Sequence, residues 1–485
     1  MGLAGVLFGL GLLVWLAYRG WSVLLLAPSA ALLATAFAGE HLLAHWTQTF
    51  MGSAGRFVAQ FFPLFLLGAL FGKLMEDSGA VTAIAGFLTS RLGAERAVLA
   101  VVLAGAVVTY GGVSLFVAYF VLAPMAAELF RVADIPRRLM PAAIALGSST
   151  FTMSALPGTP AIPNTIPMPF FDTTTFAAPG LGIVASAVMI VTGLSWLHRA
   201  TAAARRRGEG FGGGRADVAD AAADDPLVRE RAVVAHEFDP AEIHHAEQVP
   251  GPPGILPAAL PLVVVVVLVN LLMSLVLLPR MDADFLAEPS WGQTTLSAVA
   301  GVWAVATALA AGIVTLLAVT GRRIPSLRGS MDAGANASVL PVLSVASLVG
   351  FGAVVAAMPA FDLVRAWVLG IGGGPLVSLA VATNVLAALT GSASGGLTIA
   401  LDALGPTYLA LAAENGIDPG LMHRIAVIGA GTLDILPHNG AVITLLAVCG
   451  CTRRESYLGI VMVAIVSSIL ALVAVILLGT LVGSF

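Results

Sequence analysis

Long apolar stretches, separated by short polar segments, dominate the chain. They cover 2–18, 21–38, 57–75, 178–196, 255–279, 295–320 and 456–482, among others. A helix needs roughly 20 apolar residues to cross the hydrocarbon core of a bilayer, and most of these stretches approach or exceed that length. Membrane-spanning β-strands would instead alternate apolar and polar residues over about ten positions. The pattern therefore predicts an all-α protein that crosses a membrane several times.

Two kinds of interruption occur once in each half of the chain. Small residues with a Gly-Gly pair lie inside apolar stretches, in TYGGVSLF at 109–116 and TGSASGGLTIA at 390–400. Prolines follow in SALPGTPAIPN at 154–164 and LDILPHNGA at 433–441. Because the order of these features is the same in both halves, we predict two structural repeats. Each repeat has five transmembrane crossings, a re-entrant hairpin at the Gly-Gly pair and a helix broken at the prolines.

A polar segment at 199–252 separates the two halves, and its charged residues, glycines and prolines are typical of a solvated linker. The expected domains are an N-terminal repeat at 1–198 and a C-terminal repeat at 253–485. Five crossings are an odd number, so the second repeat must be inverted relative to the first. Inverted repeats with broken helices are typical of secondary transporters.

Charge sets the expected orientation. Only 10% of residues are charged and 58% are hydrophobic, and the mean hydropathy is +0.97, whereas soluble domains carry about 25% charged residues. With the N-terminus outside, all but four of the 23 Lys and Arg residues lie on the inner side or in the linker. The four outside are Arg56, Arg280, Arg365 and Arg424. Cytoplasmic loops are rich in Lys and Arg, so we predict a cytoplasmic linker. Lys73, near the end of an apolar stretch, is expected to extend its amine to the membrane surface.

Other classes of protein fit less well. The two cysteines, Cys449 and Cys451, are too few for a zinc site, and we expect no metal, cofactor or nucleic-acid partner. An intramembrane serine enzyme is disfavoured because GSASG at 391–395 has Ala393 at its centre. A channel is disfavoured because selectivity filters are usually built by symmetric oligomers around one pore. We therefore expect a transporter and no enzymatic activity.

The hairpin tips and helix breaks predict a binding site for an anion. A broken helix is tolerated in a membrane where its free backbone groups line a cavity or are buried in protein, and a helix N-terminus binds anions through its N–H groups and partial positive charge. Half-helices are expected to start near Asn164 and Asn439. The candidate substrate-binding residues are Gly111, Gly112, Ser114, Thr159, Asn164, Ser392, Ser394, Gly395, His438 and Asn439.

Two ionisable residues at the second break predict how transport is driven. Asp434 and His438 are one helical turn apart, and ionisable groups inside membrane segments commonly have functional roles. We predict that this pair carries a coupling proton; the alternative is that Asp434 only caps backbone amides. Sodium is an alternative coupling ion, because the backbone carbonyls of an unwound helix can bind it without a diagnostic side chain.

Several strings resemble the gluconate permease (GntP) family of the ion transporter superfamily. They are LFGKLMEDSGAVTAIA at 70–85, TYGGVSLFV at 109–117 and LPHNGAVITLLAVCG at 436–450, and the resemblance extends over nearly the whole chain. It implies proton-coupled uptake of small organic acids across a bacterial inner membrane. It also implies a homodimer in the lipid bilayer, with a scaffold domain and a moving domain that carries the hairpins.

The chain departs from the gluconate carriers near the second break. Those carriers have an Asp after the His and Asn of this motif, where this chain has His438, Asn439 and Gly440. The first break also offers few amide groups for a polyol. The sequence looks closer to carriers of short hydroxy acids, 3-hydroxybutyrate especially, with gluconate and citrate as alternatives.

Overall fold

The protein is described here from a computed structural model. It describes residues 2–17, 19, 21–212, 251–359, 361–437 and 439–485. All regular secondary structure within these ranges is helical, as the apolar pattern predicts. Most of the predicted linker, at 213–250, lies outside the described residues.

The N-terminal half consists of long helices and, near its end, several short ones. They are α1 (Gly2–Ala17), α2 (Val23–Ala38), α3 (Leu42–Asp77, with one π-helical turn), α4 (Ala80–Leu92), α5 (Ala97–Tyr110), α6 (Leu115–Val132), α7 (Met140–Ser148), α8 (Phe151–Ser154), α9 (Ile162–Thr165), α10 (Met168–Phe171) and α11 (Pro179–Arg206). Helix α11 continues eight residues past the predicted end of the N-terminal repeat, so the polar segment begins later than its composition indicates.

The C-terminal half also consists largely of long helices. Its helices are α12 (Ile255–Val263, extended by π-helical turns to Leu277), α13 (Leu296–Thr320), α14 (Leu327–Ala356), α15 (Phe361–Leu369), α16 (Gly374–Thr390), α17 (Ala393–Glu414), α18 (Pro419–Leu433), α19 (Gly440–Val448) and α20 (Arg453–Val482). Helices α5 and α6 meet at the first Gly-Gly pair, as predicted, but α16 and α17 meet at Gly391 and Ser392, and the second Gly-Gly pair, Gly395 and Gly396, lies inside α17. The two proline breaks lie between α8 and α9 and between α18 and α19.

Seven of the described helices are long and apolar enough to cross a membrane. They are α3, α6, α11, α13, α14, α17 and α20. Helices α4 and α5 meet at an angle of 102° and would count as an eighth span if taken together. Helices α6 and α17 are the second arms of the two hairpins.

Helices of the two halves pack against each other, α3 on α14 and α11 on α20. Helix α7 lies at the centre, and every one of its residues is buried; a helix that is apolar on all sides is expected in such a position. Close approach to α7 depends on Gly147, where a Cβ would lie 2.3 Å from the carbonyl oxygen of Val102 on α5. The central helices are therefore held in tight contact.

The residues that follow α11 fold back onto the loop between α6 and α7. Arg138 donates a 2.6 Å hydrogen bond to the Glu209 carboxylate, and this bond holds the pKa of Glu209 below its ordinary value. The backbone N–H of Phe211 donates to Asp134 over 3.0 Å. The beginning of the polar segment is thus attached to the end of the first hairpin.

Candidate functional site

The first hairpin tip packs against the first helix break. The tip follows Tyr110, whose hydroxyl donates a 2.7 Å hydrogen bond to the carbonyl of Pro157 in the break. Gly112 has φ of +95°, and a Cβ there would lie 2.8 Å from Cγ of Pro160. Only glycine fits this backbone conformation without strain. The Gly-Gly pair therefore allows the tip to contact the break directly.

The second hairpin tip contacts the second break in the equivalent way. The Asn439 side-chain amide donates to the carbonyl of Gly391 over 2.8 Å and to the Asp434 carboxylate over 2.7 Å. Its carbonyl oxygen accepts a 2.6 Å bond from the N–H of Ala441, so Asn439 is the N-cap of α19. Asp434 also accepts a backbone hydrogen bond from Ala393 at the start of α17. Asn439 thus connects the second tip, the Asp434 carboxylate and the N-terminus of α19.

Two adjacent cavities lie beside the first tip and the two breaks. The larger, of about 80 Å³, is bounded by the first tip, the first break and helices α3, α13 and α14. Representative lining residues are Gly112, Ser114, Pro160, Ala161, Leu64 and Ser338. The smaller, of about 20 Å³, is lined by Leu115, Tyr119, Ser149, Met153, Asp434 and Asn439, among others. Leu115 and Met153 line both cavities, so the two form one candidate site.

Four of the predicted residues line these cavities. Gly112 and Ser114 face the larger one, and Asp434 and Asn439 face the smaller one. His438 lies outside the described residues. The larger cavity thus lies between the first tip and the first break, whereas the smaller one is lined by the second break and by helices of the first half, and not by the second tip.

The other predicted residues are buried in contacts that shape the site. Gly111 packs on α12, where a Cβ would lie 2.1 Å from Leu262. Ser392 caps α17 by accepting a 3.1 Å bond from the N–H of Gly395. Ser394 is buried inside the same helix. These residues build the tips and do not line either cavity.

The first break differs from the expected arrangement. The helix that follows it, α9, is a single turn of four residues, so no long half-helix begins near Asn164. The Asn164 amide donates to the carbonyls of Thr159 and Thr175 over 2.9 and 3.1 Å. Thr159 accepts a 3.3 Å bond from the N–H of Ala161. Both predicted residues therefore stabilise the break from behind the cavity wall.

Two basic residues that were expected at a membrane surface are buried instead. Arg424 was expected on the outer surface, but its side chain is fully buried on α18 because it donates to carbonyls exposed by the first break. Lys73 was expected to reach the membrane surface. It is 2% exposed and lies 3.0 Å from Asp77 and 3.6 Å from Glu76. The isolated Arg in the apolar string LMHRIAVIG at 421–429 is the signal that could have indicated a buried role.

Long apolar helices, with broken helices lining cavities between them, are the architecture of a membrane transporter. The comparisons with known proteins agree. Residues 1–207 match the model of the GntP family permeases. The chain is 39% identical to the uncharacterized transporter YxjC of Bacillus subtilis (strain 168), over 99% of this chain and 98% of that protein. The chain belongs to the GntP permease family.

A solved structure shares the fold at low sequence identity. It is MtrF of Neisseria gonorrhoeae, described as illuminating a class of antimetabolite efflux pumps, with 14% identity and a TM-score of 0.53. The likeness covers 90% of this chain and 85% of MtrF. It supports the all-helical transporter fold.

Proposed function

We propose that this transporter imports a small organic acid anion together with a proton, and that the substrate is 3-hydroxybutyrate or a similar short hydroxy monocarboxylate. The observation that carries the proposal is the pair of adjacent cavities lined by the first tip and by both breaks. Their walls combine apolar side chains with a few hydroxyl and amide groups. A site of this kind fixes the orientation of a small ligand with few polar contacts.

The polar groups on the walls favour a short acid over a polyol. In the larger cavity the polar side chains are the hydroxyls of Thr109, Ser114 and Ser338. In the smaller cavity they are Tyr119, Ser149, Asp434 and Asn439. Gluconate presents a hydroxyl on almost every carbon, and each one buried without a partner would weaken binding. A four-carbon hydroxy acid has one hydroxyl and one carboxylate to satisfy.

The position of Asp434 supports proton coupling. Its carboxylate lines the smaller cavity, and about 20 Å³ is enough for one water molecule. A protonatable group facing a space that can hold water, next to the substrate cavity, is suited to exchange a proton during transport. His438, four residues along the chain, is the proposed partner. Sodium coupling is the alternative.

Uptake by proteoliposomes tests the substrate and the coupling ion together. Labelled 3-hydroxybutyrate, lactate, gluconate and citrate are compared with and without an inward proton gradient and with and without sodium. We expect 3-hydroxybutyrate to accumulate with the proton gradient alone. Preferred accumulation of gluconate or citrate, or accumulation only with sodium, would refute the corresponding part of the proposal.

Substitution of Asp434 tests the proposed proton carrier. Asp434→Asn should abolish accumulation driven by the proton gradient, while exchange of labelled for unlabelled substrate continues, because exchange needs no net proton movement. Asp332→Asn is the matched control, since Asp332 is largely exposed on α14. If accumulation survives both Asp434→Asn and His438→Gln, the proton is carried elsewhere.

We further propose a homodimer in a bacterial inner membrane, with the N-terminus outside and the linker at 199–252 in the cytoplasm. A single cysteine introduced into the linker, in a chain with Cys449 and Cys451 replaced by Ser, should resist an impermeant thiol reagent added to intact cells. Labelling from outside would contradict this orientation. Chemical crosslinking in membranes tests the dimer.

A further inference from the structure

A fully buried arginine stands behind the first break. The Arg424 guanidinium donates to the carbonyl of Ala177 over 2.7 Å and to the side-chain oxygen of Asn164 over 3.1 Å. Longer bonds of 3.4 Å reach the carbonyls of Ser154 and Thr175. All four acceptors are neutral, and the described residues place no carboxylate among its partners.

Hydrogen bonding to the break does not by itself require a charge. Asn270 on α12 performs the same task with a neutral amide, donating to the carbonyl of Gly158 over 3.0 Å and to the hydroxyl of Thr175 over 3.1 Å. A guanidinium keeps its proton in proteins, and burying a charge without a counter-ion is costly. Hydrogen bonding to the break therefore does not explain why Arg424 carries a charge.

A short chain of bonds connects this charge to the wall of the larger cavity. Arg424 donates to Asn164, and Asn164 donates to the carbonyl of Thr159. The next two residues, Pro160 and Ala161, line the cavity. The positive charge thus lies directly behind the first break, on the side where no long helix N-terminus is available to attract an anion.

The second break has the opposite polarity, because Asp434 lies there. Arg424 and Asp434 are near opposite ends of α18, and ten residues at 1.5 Å rise separate them by about 15 Å. We infer that Arg424 is a specificity-determining residue that makes the larger cavity the carboxylate end of the substrate site. A monocarboxylate then binds with its anionic group against the first break and its uncharged part toward the second. This inference rests on the proposed function.

The test compares an acid with its neutral amide. Inhibition of labelled 3-hydroxybutyrate uptake is measured in proteoliposomes with unlabelled 3-hydroxybutyrate and with 3-hydroxybutyramide. For a charge on the order of 10 Å from the ligand and an effective dielectric of about 20, its loss should reduce the preference for the acid about tenfold. Arg424→Gln removes the charge, and Asn164→Asp neutralises it in place with a carboxylate beside the guanidinium. Arg424→Lys keeps the charge.

We expect the acid-to-amide preference to fall about tenfold in Arg424→Gln and Asn164→Asp and to persist in Arg424→Lys. Arg91→Gln, at the exposed end of α4, is the control. A structural role alone would weaken both inhibitors equally, so an unchanged preference in either charge-cancelling variant overturns the inference. If Arg424→Gln does not fold, the acid-to-amide preference of Asn164→Asp alone tests the inference. Failure of the unmodified protein to transport any monocarboxylate would instead refute the proposed function.

Discussion

Replacing Asn439 by alanine should strongly impair substrate binding, because this side chain joins three parts of the site. Alanine removes the bond to Gly391, the bond to the Asp434 carboxylate and the N-cap of α19. A hydrogen bond to a charged group contributes about 1.5–3 kcal/mol, and an N-cap contributes about 0.5–2 kcal/mol. If only the charged bond acts on binding, KM should rise roughly ten- to hundredfold, at about 1.4 kcal/mol per factor of ten.

The assay is the initial rate of uptake by proteoliposomes over a range of substrate concentrations. The Tm of the purified protein reports stability separately. Asn439→Ser should have an intermediate effect, because serine is also a good N-cap but is too short to reach both Gly391 and Asp434. The control is Asn415→Ala, since Asn415 is exposed at the end of α17 and its amide donates to the carbonyl of Leu411 in the same helix. If Asn439→Ala raises KM no more than this control, the contact between second tip and second break has no part in binding.

Two further substitutions test the packing around the site. Gly112→Ala should sharply reduce the maximal rate of uptake, because the residue has φ of +95° and the added methyl would lie 2.8 Å from Pro160; a normal rate would show that the first tip tolerates displacement. Lys73→Met should destabilise the protein by about 3–5 kcal/mol, because it leaves the buried carboxylates of Asp77 and Glu76 without their cation; an unchanged Tm in detergent would contradict this.

The sequence predicts those features that depend on local chemistry. Apolar length indicates the helices, and the prolines and glycines indicate where helices break and turn, because their backbone preferences act within a few residues. The contact between each tip and its break also follows from the repeated order. For the same reason Gly112 and Asn439 could be selected before their partners were known.

The features that the sequence missed depend on distant partners. Arg424 bonds to residues at least 247 positions away, and the charge pattern alone places a lone arginine in the nearest loop. Two carboxylates that pair with Lys73 lie within four residues of it, yet its burial depends on α14, where Ser330 donates a 2.6 Å bond to Asp77. The single-turn helix after the first break is likewise a tertiary outcome, since side chains from α12 and α18 bond to the carbonyls of Gly158, Ser154 and Thr175 on either side of it.

Helix α18 connects the two breaks and gives the site its polarity. Near its start, His423 and Arg424 hold the first break through Thr173, Asn164 and Ala177. At its end, Asp434 accepts a hydrogen bond from Asn439, which also donates to Gly391 in the second tip. A shift of one break along this helix must therefore be transmitted to the other, because both sets of bonds are anchored to one rigid element. We expect substrate binding at one break and protonation at the other to be coupled through α18. This follows from linkage, since a ligand that favours one arrangement of the helix changes the affinity of the other site by the same factor.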